Sequence, residues 1–187
     1  KFSEMPYQRV DMAEAEKRFT DIIQRQKQAK SGEEQFAIHQ EYYQLMDEIE
    51  TYGTLAMIRH DIDTTDEFYE KEREYYDEVI PIVEKYQVAY KKVLFESPHR
   101  AYMEEKIGPV TFKSMGLSFK AFDEKLIPLM QEENALVTRY GKLIATAKIP
   151  FEGEVYNISL LRKFLTASNR DTRRRAWKAL SEYFLSV

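Results

Sequence analysis

The sequence predicts an all-α protein: a multi-helix bundle of long antiparallel helices, with one small β-hairpin near residues 148–158. Three observations lead there. Charged residues make up 32% of the chain while glycine and proline number only six each, a helical rather than a sheet-like balance. Apolar side chains recur at alternating steps of three and four through most of the length, the rhythm of one buried helix face. In KIPFEGEVYNIS, by contrast, β-branched and aromatic residues flank a turn pair, Glu152-Gly153, which is a hairpin signal.

The first helix is expected over 11–30, with Met12, Ala15, Phe19, Ile22 and Gln26 in line, and Ser31-Gly32 breaking it. The second, about 32–60, carries Ile38, Tyr42, Leu45, Ile49, Tyr52 and Ala56. The third, about 65–95, carries Tyr76, Val79, Val83, Tyr86, Tyr90 and Val93. Their mean step of about 3.5 residues suits neighbouring helices packed as in a coiled coil. Pro81 lies inside the third helix, where it removes a backbone donor and crowds the preceding turn, so a kink is expected there. Ser97-Pro98 then starts a short helix, with Ser as N-cap, which ends near Ile107-Gly108-Pro109. Another short helix spans about 109–121, with Val110, Met115 and Phe119 as its core candidates. Asp123 caps a long helix reaching about Ala147, whose stripe is Ile127, Met130, Val137, Tyr140 and Ile144. After the hairpin, Ser159 is expected to cap LLRKFLTA, and Ser168 with Asp171 to open the last helix, RDTRRRAWKALSEYF. The whole of 1–187 is read as a single helical region: long helices over 11–95, shorter ones over 98–147, hairpin and C-terminal helices over 148–187.

A net charge of −4 argues against a general nucleic-acid binder and against an anionic membrane surface. The absence of cysteine excludes disulfides and thiolate metal sites. No apolar run approaches the roughly 20 residues of a membrane span, and KFSEMPYQRV lacks the apolar core of a signal peptide. The expected location is the cytoplasm, with neither nucleic acid nor membrane as a partner.

Two clusters invite a functional reading. IRHDIDTTDEFYEKE, residues 58–72, gathers carboxylates around His60. Counted as a calcium loop from Asp61, it offers Asp63, Thr65 and Glu72, but Asp66 stands where the sharp turn needs glycine and Tyr69 occupies the ninth position. Zinc would need paired histidines at helical spacing, whereas His39, His60 and His99 stand alone. A helix joint explains more of these residues. Thr64 and Glu67 form a capping box, Asp66 and Glu67 favour the positive end of the helix dipole, and Arg59 pairs with one of the carboxylates. The second cluster is Arg162, Lys163, Arg170, Arg173, Arg174, Arg175 and Lys178 around Trp177. Arginine beside an aromatic suits single-stranded nucleic acid, but the basic residues alternate with core-like Leu161, Phe164, Leu165, Trp177, Leu180 and Phe184. A solvated face, or one paired with acids on a neighbouring helix or domain, is the better reading. No nucleophile elbow, phosphate loop or dinucleotide fingerprint is present, and the adjacent pair Glu132-Glu133 diverges on its helix.

MPYQRVD, IRHDIDTTDEFYEKE and LMQEENALVTRYGKLIATAKIPFEGEVYNISLLRKFLTASNRDTRRRAWKAL, in that order, resemble the N-terminal part of bacterial oligoendopeptidase F. That enzyme belongs to the thimet-oligopeptidase-like zinc metallopeptidases, which include the Pz-peptidases, and the resemblance covers essentially the whole chain. It implies an all-helical peptidase with a deep channel for short, unstructured peptides, and zinc held by an HExxH helix whose glutamate activates the zinc-bound water. No position here matches that motif, so the resemblance assigns no catalytic residue and no metal ligand to this chain, and it leaves the substrate-binding residues unassigned. The expected function is therefore the channel-wall portion of a zinc oligoendopeptidase, inactive without its catalytic half. The alternative is a stand-alone helical interaction module. EYFLSV halts without Gly, Asn or Pro, which fits a fragment. A fragment leaves an apolar face uncovered, so self-association or contact with the missing catalytic domain is expected.

Overall fold

The computed structural model describes residues 4–119 and 122–187. Eight helices, α1 to α8, and one antiparallel hairpin, β1–β2, make up the described residues. They divide into two compact units, Lys1–Asn134 and Ala135–Val187. Among the described residues no helix is long and apolar enough to cross a membrane.

In the first unit, α1 (Met12–Gln28), α2 (Gly32–Ile62) and α3 (Glu67–Phe95) pack against one another in all three pairings. Their joints are only a few residues long, so each helix folds back along its predecessor. Most of each predicted stripe is buried: Ala15, Phe19 and Ile22 from α1; Ile38, Tyr42, Leu45 and Ile49 from α2; Tyr76, Val79, Val83 and Tyr90 from α3, while Met12, Tyr52, Tyr86 and Val93 are half-buried. Phe19 is fully buried and stacks on Tyr86, with centroids 5.2 Å apart. Gly32 opens α2 against Tyr102, whose Cγ would lie 2.4 Å from an added Cβ, so only glycine permits this approach. The short helices α4 (Arg100–Ile107) and α5 (Pro109–Ser118) close the far end, where Met103 and Phe112 are fully buried. The predicted extension of α5 to residue 121 falls partly on 120–121, outside the described residues.

α3 runs unbroken through Pro81. Proline has no N–H, so the carbonyl of Asp77, one turn back, loses its helical donor. Asn134 Nδ2 donates to that oxygen at 3.1 Å, and Gln131 Nε2 donates to the neighbouring Glu78 carbonyl at 2.8 Å. Both amides come from α6 (Ile127–Ala145), so α6 begins where α3 has a carbonyl to spare.

Several local expectations are corrected. α3 is capped by Asp66, which accepts from the amides of Phe68 and Tyr69, not by a Thr64–Glu67 box. Ser97 accepts from the His99 amide, one step before α4, and does not cap the helix itself. Asp123 caps a single 3-10 turn, Glu124–Leu126, that leads into α6. Val110 is 79% exposed and so is no core residue. The α6 stripe is not core either: no residue of α6 is buried, and Leu129, Leu136, Val137, Tyr140 and Leu143 are exposed.

In the second unit β1 (Ile149–Phe151) pairs with β2 (Glu154–Tyr156) across Glu152-Gly153, both with positive φ, as a tight hairpin demands. Ile149 and Phe151 pack with Leu161 of α7 (Ile158–Leu165) and with Ala176 and Leu180 of α8 (Arg170–Ser186). Asn157 caps α7 and Asn169 caps α8, in place of the predicted Ser159 and Ser168.

Candidate functional site

The acidic stretch 58–72 folds as the joint between α2 and α3. Asp63 Oδ1 accepts from the Thr65 amide and hydroxyl at 2.9 and 2.6 Å, an Asx turn that holds its carboxyl below the usual carboxylate range. Asp66 caps α3. Among the described residues Arg59 pairs with no carboxylate, contrary to the expectation; it donates to the Tyr69 hydroxyl at 2.8 Å and the Met5 carbonyl at 2.6 Å. Glu72, the last glutamate of the stretch, is 2% exposed and receives the Arg9 guanidinium and the Tyr7 hydroxyl. With Tyr75 donating to the Val10 carbonyl at 2.7 Å, these bonds strap the segment before α1 onto α3. Burial alone would raise the Glu72 carboxyl; the bonds from Arg9 and Tyr7 and the Arg9 charge outweigh it and leave the carboxyl below its ordinary value. Among the described residues, no group of three or more His, Cys, Asp or Glu side chains could hold a metal ion.

The basic stretch lies in the second unit, and its arginines partly serve the local fold. Arg173 donates to the carbonyls of Ala167 and Ser168 at 2.6 and 2.8 Å, just beyond α7, and Arg175 pairs with Glu152 of the hairpin turn. Lys178 pairs with Glu182 on its own helix at 3.6 Å. Leu161 and Leu180 are core as predicted, but Trp177 and Phe184 are 55% and 46% exposed.

A groove runs along α2 and α3 of the first unit. Two hollows of about 480 and 470 Å³ share the walls Met46, Glu50 and Gln87. The first is floored by Ile49, Gly53, Ile80 and Val83. Gly53 matters there: a Cβ would come within 3.3 Å of the buried Tyr76 ring. The second hollow is an aromatic corner. Tyr42 and Tyr90 stack with centroids 3.8 Å apart, and Tyr43 stands at 85° to Tyr42 and 81° to His39. Asp47 and Glu50 are exposed at its rim. The Glu50 charge is felt inside: burial, then Tyr43, then Glu50 all push the Tyr42 hydroxyl up.

A buried polar string fixes the corner from behind. Gln26 Nε2 donates to the Gln35 carbonyl at 3.1 Å and to the Tyr90 oxygen at 2.9 Å. The Tyr90 proton is thereby directed to His39 Nδ1, 2.6 Å away, which places the imidazole proton on Nε2. Burial lowers the His39 pKa to about 4, so the ring is neutral at physiological pH. Ser97 donates to Gln35 Oε1 at 2.8 Å, while Gln26 Oε1 is buried without a partner.

Sequence reasoning assigned no residue to this groove. The signal was present on α2: Tyr43, Asp47 and Glu50 sit at i, i+4 and i+7, one step off the core stripe.

Comparison with known proteins places these features in context. Residues 2–122 match the description "Peptidase M3 N-terminal domain". A solved structure of PZ peptidase A with an inhibitor is similar to the entire chain at 36% identity and a TM-score of 0.96. A structure solved under the name oligoendopeptidase F matches it all at 35% identity and 0.96. One of that name from Bacillus anthracis str. Ames matches 98% of it at 31% identity and 0.94. The chain spans about a third of the length of each: 33, 33 and 34%. No curated protein matches the sequence.

Proposed function

The chain belongs to the peptidase M3 family, in the group of PZ peptidase and oligoendopeptidase F, and we propose that it forms one wall of the peptide channel in a zinc-dependent oligoendopeptidase. In this reading the substrates are short peptides, hydrolysis belongs to the two thirds of such an enzyme that this chain does not span, and the setting is the cytoplasm. The observation that carries it is the full-length structural match to only a third of each relative.

Zinc would supply a polarised water for attack on the peptide carbonyl. The residues here do not fit it: Asp63, Asp66 and Glu72 are tied into a turn, a helix cap and the N-terminal strap, and no three-ligand group occurs among the described residues. No step of the reaction is therefore assigned to this chain. A quenched collagen-like peptide incubated with the 187-residue chain, with and without added zinc, is expected to stay intact in both arms. Zinc-dependent turnover by the chain alone would overturn the assignment of catalysis to other residues.

The partner in this reading is the remainder of the peptidase, seated on the outward face of α6. Leu136, Tyr140 and Leu143 follow steps of four and three there, and all are exposed. Deprived of that partner, the face is expected to self-associate. Light scattering should give a mass above the 22.2 kDa of one chain, falling back to it for Leu136→Lys. A strictly monomeric wild-type chain at about 0.1 mM, where helix seams of modest affinity pair, would count against it.

A further inference from the structure

We propose that the α2–α3 groove binds an extended cationic peptide, with a lysine or arginine side chain in the aromatic corner and an apolar side chain in the neighbouring hollow. This rests on the peptide-handling reading above and adds to it a charge preference and a place.

Length comes first. The groove runs from His39 to Met57 along α2, roughly 27 Å at the helical rise of about 1.5 Å per residue. An extended chain covers that in about eight residues. Charge comes second. The two hollows are lined by four carboxylates, Asp47, Glu50, Asp77 and Glu84, against two cations, Arg73 and Lys91. Asp77 is already paired with Arg73 at 3.2 Å. Asp47, Glu50 and Glu84 therefore face a single lysine, and a cationic occupant balances them while an acidic one does not.

Shape comes third. The half-exposed Tyr43 ring stands at a right angle to the buried Tyr42 ring, with Asp47 and Glu50 at the open edge. Aromatic faces backed by carboxylates are the surroundings a cationic head group favours. The corner is rigid: the Tyr42 ring is held by its stack on Tyr90, and Tyr90 is fixed by Gln26 and His39. Burial pushes the Tyr42 and Tyr90 hydroxyls up, so neither adds a negative charge of its own. The other hollow suits an aliphatic or aromatic side chain, with Met46, Ile49, Met57, Ile80 and Val83 around it and Met57 and Ile80 partly open to receive it.

Fluorescence polarisation on the 187-residue chain tests this with a labelled peptide of composition Ala-Gly-Leu-Ala-Lys-Leu-Ala-Gly and its twin carrying Glu for Lys. The lysine peptide is expected to bind about tenfold or more tighter than the glutamate twin, the gap narrowing as salt rises. The double variant Asp47→Asn, Glu50→Gln and the single variant Tyr43→Ala should each weaken the lysine peptide about five- to tenfold, while the glutamate twin is not weakened by the double variant, which relieves its repulsion. These positions are exposed and Asp47 and Glu50 make no ion pair among the described residues, so an unaltered melting temperature for the double variant confirms that folding is intact. Equal binding of the two peptides, no binding of either, or variants that bind like the wild type would each overturn the proposal. The two readings fail separately. Binding can be absent while a longer protein still cleaves peptides, and turnover by this chain alone would refute the channel-wall reading without touching the charge preference.

Discussion

Phe19→Ala is expected to destabilise the first unit by about 3–5 kcal/mol, the range for deleting a fully buried phenylalanine. The ring is 0% exposed, lies flat on Tyr86 and tilts against Tyr42, so truncation opens a hole where α1, α2 and α3 meet. Tyr42 is not free to swing in. Tyr42 is clamped against Tyr90, and moving it would pull on the string that ends at Gln26. Urea denaturation should show a lower midpoint at unchanged slope. A loss under about 1 kcal/mol would mean that the helices close over the gap, and that the core is softer than its ring contacts indicate.

Glu72→Ala carries the next largest effect, about 2–3 kcal/mol. Removing one partner of a buried pair is usually costlier, but Arg9 is half exposed and regains water once released, which reduces the loss. The Tyr7 hydroxyl and the strap before α1 lose their anchor at the same time. Because the Glu72 carboxyl is held below its ordinary value in the fold, its contribution is fully present above the unfolded value, near pH 4.3, and fades as pH falls through the lower folded value. The difference in melting temperature between wild type and variant should therefore be flat from about pH 7 to 5 and shrink in more acid solution. A gap that widened on acidification would contradict the pairing. At neutral pH the expected shift is about 5–10 °C.

The helices were legible in the sequence because burial repeats. Phe19, Ile22, Ile38, Leu45, Val79 and Val83 announce a face every turn, and packing rewards each of them. The caps were harder. Thr64, Thr65 and Asp66 stand in a row, as do Ser168 and Asn169, and side chains of this kind differ as caps by tenths of a kcal/mol. Backbone direction selects among them, and it depends on where the next helix packs. The stripe of α6 failed for another reason. Periodicity reports that a face exists, not what lies opposite it, so Leu136 and Tyr140 read as core although nothing among the described residues buries them. Trp177 misled in the same way. The groove stayed hidden because its other walls come from α3 and α5, far along the chain. Tyr43, Asp47 and Glu50 gain meaning only beside Gln87 and Lys91.

Gln26, Gln35, His39 and Tyr90 have a consequence for how the protein comes into being. They belong to three successive helices, and Tyr90 is the junction that accepts from one and donates to another. Two of these helices meeting without the third would strip water from an amide or an imidazole before its partner arrived. Half-built assemblies are thereby penalised twice, once in apolar area and once in stranded donors and acceptors. Residues 12 to 95 are thus set to appear and disappear together, so that a nascent chain gains little native shelter until α3 has emerged.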